Sequence, residues 1–291
     1  SAAGANLYAL YLNGVDGSAV ASSYLQNAAG YGAFLNTGSD YNTIIQSTLA
    51  VNNAAYRALY LLGSDSNTVS GSRIVNLAGS AAYLDAGSDY NTVSLSTMYA
   101  VGANLYALYL NGADSNTLTG SYLQNASGYA SYLNTGSDRN TIAQSTMAVG
   151  NATYRALYLL GSDSNTVTGS RIVNTLGSAA YLDTGSDFNS VSLSTMYASA
   201  LNLYALFING SDSNTMTGSY LQNTPGYGAY FNTGSDYNVI SQSTISINNA
   251  TNRALNLVGA DTNTISGSFM SNLGGLGAAW LASTASVAAL V

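Results

Sequence analysis

The 291-residue chain contains no cysteine, histidine, lysine or glutamate. Without cysteine there is no disulfide scaffold and no thiolate nucleophile. Without histidine the usual zinc sites and the commonest general base are absent. Charge is scarce: 13 Asp and 6 Arg make up the whole 7%. A net charge of −7 offers nothing to neutralise a run of phosphates, so nucleic acid is excluded as a partner. No basic segment followed by an apolar run opens the sequence. The longest weakly polar stretch, residues 276–291, is too short and too mild for a membrane span. Any leader is expected to be absent or already removed, and no transmembrane segment is expected.

Hydrophobic residues are plentiful at 47%, which rules out a disordered chain. They are organised by a repeat. Asp-x-Asn occurs at Asp40/Asn42, Asp65/Asn67, Asp89/Asn91, Asp114/Asn116 and Asp138/Asn140. It continues at Asp163/Asn165, Asp187/Asn189, Asp212/Asn214, Asp236/Asn238 and Asp261/Asn263, with a worn copy at Asp16. The steps alternate between 24 and 25 residues. An aliphatic residue follows each Asn by two, and a Ser follows each Asp by seven. Every segment is a short alternating run bounded by Gly, Asn, Asp or Ser, and none keeps a helical period. Three short strands per unit make one coil of a parallel β-helix, in which equivalent residues stack about 4.8 Å apart. The expected fold is all-β, a single-stranded parallel β-solenoid of about twelve coils of 24–25 residues. Residues 1–272 form the solenoid, and 273–291 a worn last coil and an apolar cap or docking segment. A four-coil period of 98 residues lies on top, visible as Leu7-Tyr8-Ala9-Leu10-Tyr11-Leu12 returning from Leu105 and, with Phe207-Ile208, from Leu203.

The phrase Leu108-Tyr109-Leu110-Asn111-Gly112-Ala113-Asp114-Ser115-Asn116-Thr117-Leu118 resembles the coil signature of NosD-like and other pectate-lyase-superfamily β-helices. The resemblance implies a right-handed coil with Leu108, Leu110, Asn116 and Leu118 inside. It covers nearly the whole chain and is specific for the solenoid alone, because this architecture serves many functions. The catalytic residues of those enzymes have no counterparts here.

The Asn row is expected to be structural, each amide satisfying turn backbone and its neighbours in the stack. Each Asp is expected to bond its own local turn. Calcium is the one metal the Asp row suggests, with Asp85/Asp89 and Asp183/Asp187 as its candidate positions. No cofactor, metal or catalytic residue is assigned, and the chain is read as a non-enzyme.

Flanking hydrophobes turn one aromatic per coil outward: Tyr11, Phe34, Tyr60, Tyr83, Tyr109, Tyr132, Tyr158, Tyr181, Phe207 and Tyr230. Tyr8, Tyr31, Tyr106, Tyr129, Tyr204 and Tyr227 widen the stripe. Arg57, Arg155 and Arg253 sit beside it, and Arg73 and Arg171 lie on the next strand. Such a stripe either stabilises its own sheet or forms a contact face. The reading reached from these residues is a structural extracellular or cell-surface β-helix, a self-associating fibre or stalk subunit. The alternative is a non-catalytic carbohydrate-binding or adhesin module that uses the tyrosine ladder. The partners are correspondingly a second copy of the chain or a glycan.

Overall fold

The computed structural model describes residues 1–275, 277–281 and 287–290. The chain is an all-β, right-handed parallel β-helix of roughly 11 turns. Its backbone divides into two compact units, Ser1–Ala148 and Val149–Val291. Within the first unit, the coil made of Leu59–Leu62, Thr68–Ser70 and Arg73–Asn76 is representative. Alternation places Leu59, Leu61, Val69 and Ile74 inside, each at most 2% exposed. Tyr60, Thr68 and Arg73 face outward.

The first strands of successive coils build a parallel first sheet, with Leu12, Leu35, Leu61, Leu84, Leu110 and Leu133 in register. Second strands such as Thr43–Ile45 and third strands such as Tyr24–Asn27 build the other two. The second unit repeats the plan, with Leu159, Leu182, Ile208, Phe231 and Leu257 in register. Each interior aliphatic contributes about 1.5–3 kcal/mol on burial, and several per coil offset the ordering of short strands.

The corners between strands are held by side chains of the adjacent coil. Asn67 Oδ1 accepts the Asn42 N–H at 2.8 Å, Asn91 Oδ1 that of Asn67 at 2.8 Å, and Asn116 Oδ1 that of Asn91 at 2.8 Å. Asn165, Asn189, Asn214 and Asn238 are bonded in the same way in the second unit. Coils with the longer turn also place the Asn amide on a carbonyl, as Asn91 Nδ2 does on Ser64 at 2.9 Å. At Asn67 and Asn116, on shorter turns, that donor is buried with no partner among the described residues. Ser47, Ser72 and Ser96 form a parallel ladder at the next corner, Oγ to backbone N–H at 3.1 Å.

The aspartates depart from expectation. Rather than bonding its own turn, Asp40 accepts the N–H of Asp65 at 2.7 Å, and Asp65 that of Asp89 at 2.8 Å. Successive turns are stacked in register, so the next coil's N–H is the donor in line with the carboxylate. A third corner was not read from the sequence. There Asn76 Nδ2 clamps the carbonyls of Asn53, Tyr56 and Ser80. Gly79 is needed beside it, since a Cβ would stand 2.3 Å from Asn53 O and 2.5 Å from Asn76 Nδ2.

The number of turns falls slightly short of twelve because the last coil adds described strands, Ala279–Leu281 and Val287–Leu290, to only two sheets. The proposed cap at 273–291 lies partly outside the described residues.

Asn91→Ala removes the acceptor of a buried N–H and the donor to Ser64 together. It should destabilise the chain by about 1–3 kcal/mol, read by chemical denaturation. A loss of no more than a few tenths of a kcal/mol would show that the ladder is dispensable.

Candidate functional site

The first sheet carries the predicted aromatics on its outer face, and their rings largely cover one another. In the first unit Tyr11 lies 5.6 Å from Phe34, Phe34 4.6 Å from Tyr60, Tyr60 6.0 Å from Tyr83, and Tyr83 4.4 Å from Tyr109, with Tyr132 5.3 Å further on. A second column packs against the first, with Tyr8–Tyr31 at 5.3 Å and Tyr106–Tyr129 at 5.7 Å. In the second unit Tyr158, Tyr181, Phe207 and Tyr230 follow at 6.2, 4.6 and 5.6 Å. Phe34, Tyr109 and Tyr181 are each only 8% exposed.

Arginines seal this layer. The Arg57 guanidinium lies 4.5 Å from the Tyr83 ring centre, Arg155 4.1 Å from Tyr181 and Arg253 4.4 Å from Trp280. These are cation–π contacts of the kind that follow when a guanidinium lies over a ring face. Asp85 and Asp183, the calcium candidates, are engaged too. Asp85 accepts from the Tyr60 hydroxyl at 3.0 Å and from Asn111 at 2.8 Å. Asp183 accepts from Tyr158 at 2.8 Å and Asn209 at 2.7 Å. Hydrogen bonds from Asn209, Thr184 and Tyr158 outweigh burial and hold the Asp183 carboxyl below the usual carboxylate range. Among the described residues no three acidic side chains gather as a metal site would require.

Exposed residues lie elsewhere, and two places stand out among the described residues. One is a recess of about 200 Å³ on the outer face of the third sheet. Tyr24 and Gln26 come from one coil, Ala50 and Asn52 from the next, and Arg73 and Leu77 from the third. The register Tyr24–Thr48–Arg73 and Gln26–Ala50–Val75 explains the shape. The small Ala50 forms a floor between two taller coils. Tyr24 is 59% exposed, and Arg73 has no carboxylate partner among the described residues. In the second unit the register equivalent beside Tyr220 and Thr244 is Phe269, so the cation is lost there.

The other place is the residue between Asp and Asn, which the sequence reading passed over. Tyr41, Tyr90, Phe188 and Tyr237 stand there, all strongly exposed. The signal was visible as a large residue on alternate coils with Ser66, Ser115, Ser164 and Ser213 between.

A family model described as a right handed beta helix region matches residues 3–147 and 88–245. The chain belongs to that family. No curated protein matches it in sequence. In solved structures the β-helix is similar to the A-module of mannuronan C-5 epimerase AlgE4 from Azotobacter vinelandii. The TM-score is 0.70 at 8% identity, over 96% of this chain and 85% of that one. It is also similar to tailspike protein 2 of Escherichia coli O157:H7 bacteriophage CAB120, at TM-score 0.58 and 12% identity over 87% and 38%. A third likeness is to alginate lyase from Paenibacillus sp., at TM-score 0.51 and 13% identity over 87% and 95%. At these identities the likeness is one of fold. Among the described residues no helix is long and apolar enough to cross a membrane.

The packed aromatic layer has a pH signature. Burial pushes the Tyr106 and Tyr109 hydroxyls well above the usual tyrosine range, and that of Tyr204 up to about 12. Folding thus favours the neutral phenol. Its contribution is fully present below about pH 10 and is lost as pH rises from there through the folded values. Ultraviolet titration should show these tyrosines ionising only together with loss of β-sheet signal. Ionisation of every tyrosine near the ordinary value, with the sheet intact, would contradict the packing.

Proposed function

We propose that the chain is a non-catalytic carbohydrate-binding β-helix that works at the cell surface or in secreted form. The observation that carries this reading is the recess between Tyr24 and Arg73. It combines one exposed ring, two side-chain amides and a free guanidinium over a small apolar floor. A sugar ring has this same mixture, an apolar face for stacking and hydroxyls that take hydrogen bonds from Gln26, Asn52 and Arg73. Arg73 is the one charged residue in the third-sheet strands Tyr24–Asn27 to Tyr122–Asn125 of the first unit. Its charge is therefore uncancelled within that sheet.

Two further considerations support the reading. The structurally similar β-helices include a mannuronan epimerase, an alginate lyase and a phage tailspike. Most glycoside hydrolases use two carboxyl groups in different roles facing one bond. Here the turn aspartates form a uniform row bonded to backbone, and Asp85 and Asp183 are bonded to Tyr and Asn side chains. The rings of the aromatic stripe spend much of their surface on one another, so the carbohydrate contact is assigned to the recess and not to the tyrosine ladder.

Titration against a panel of oligosaccharides, with light scattering on the same samples, tests this. Y24A and R73Q should each weaken the best ligand by roughly tenfold, about 1.4 kcal/mol, while the chain stays monomeric. Oligomers that form without ligand, together with no binding across the panel, would overturn the proposal in favour of a building block.

A further inference from the structure

The Asp-x-Asn corner forces its middle residue into the left-handed region. Its φ is +57° at Tyr41, Tyr90, Arg139, Phe188 and Tyr237, and +57° or +58° at Ser66, Ser115, Ser164, Ser213 and Thr262. The cause is the stacked corner. The N–H groups of Asp65 and Asn67 donate to side chains of adjacent coils, and that of Ser66 donates to the Asp89 carbonyl at 3.0 Å. Three successive donors aimed at neighbouring coils leave no freedom to relieve the middle residue.

Glycine or asparagine takes this conformation readily, whereas a bulky aromatic there is a strained outlier. The fold does not require an aromatic, since every second coil has Ser or Thr. Nor do the rings repay the strain by packing. Tyr41 is 69% exposed, Tyr90 66%, Phe188 64% and Tyr237 60%, and none has a ring partner among the described residues. Strain kept without a packing return is the mark of a functional position.

The arrangement has a period. Within the first unit Tyr41, Tyr90 and Arg139 are each two coils apart, about 10 Å at two strand spacings. Arg139 presents a flat guanidinium pinned by Asp114 at 2.7 Å. Within the second unit Phe188 and Tyr237 are two coils apart in the same way. Alongside run the aspartates. Asp40, Asp65 and Asp89 each give one oxygen to a backbone N–H. The other oxygen has no partner among the described residues and is free to accept a hydroxyl donor.

We infer that within each unit these corners form a binding edge for an extended, uncharged polysaccharide. In an equatorially linked ribbon every second sugar presents the same apolar face, and that disaccharide repeat matches the two-coil spacing. The carboxylate row suits hydroxyl donors and repels a polyanion. This inference rests on the carbohydrate-binding reading and places a second contact on a different sheet edge from the recess.

The test uses the full chain and the variant Y41N/Y90N/F188N/Y237N, with swollen amorphous cellulose as the ribbon and soluble amylose as the coiled control. Wild type should bind cellulose in preference to amylose, and the variant should lose roughly tenfold or more in affinity. Because asparagine relieves the backbone, the variant's thermal midpoint should stay level or rise. Equal binding by the variant, with Y24A still lowering affinity for soluble oligosaccharides, would overturn the edge and leave the recess standing. A lower midpoint would show that the rings are structural and would also overturn the edge. No saccharide binding by wild type would remove both.

Discussion

The fold depends on one contact made again and again: an asparagine amide oxygen accepting the backbone N–H of the equivalent asparagine one coil away. A solenoid of short strands has many corners, and each corner carries backbone donors that the sheets do not use. Left buried and unpaired, each would cost about 1–3 kcal/mol. The Asn row meets this cost inside, the Ser row meets it at the next bend, and the Asp row meets it on the surface. The repeat is strict at these positions because a side chain of one coil completes the backbone of another.

Freedom is thereby confined to the outward positions. On the first sheet they are filled by tyrosines that close over one another beneath arginines. On the third sheet they alternate between tall and short residues and leave the recess over Ala50. At the Asp-x-Asn corner the conformation is fixed and only the side chain varies. A rigid frame that dictates backbone geometry and leaves side chains open is suited to displaying groups at a set spacing.

Much of this was legible from residue order alone. The alternation of Leu59-Tyr60-Leu61, the Asn and Ser rows and the coil length follow from period-2 patterning and a strict register. The handedness came with the resemblance to pectate-lyase-type helices. Three features were hidden for physical reasons. The Asp bonds run between coils, and their partner lies 24 or 25 residues away, beyond any local turn rule. The Asn76 clamp gathers carbonyls from residues 53, 56 and 80, which no short motif links. The ladder rings face outward as read, but their mutual cover depends on ring angles that a one-dimensional pattern does not hold. The exposed aromatics at Tyr41 and Tyr90 were visible as letters. Their meaning appears only with the positive φ that the stacked corner imposes.

The account stands most directly on the corners being locked from coil to coil. Residue-resolved hydrogen exchange on the native chain measures this. The amides of Asn67, Asn91 and Asn116 should exchange as slowly as those of the neighbouring strand residues Val69, Val93 and Leu118, opening only with the sheets themselves. Exchange at those corner amides at the rate of an open loop, while the strands stay protected, would contradict the side-chain ladder as the bond that holds one coil to the next.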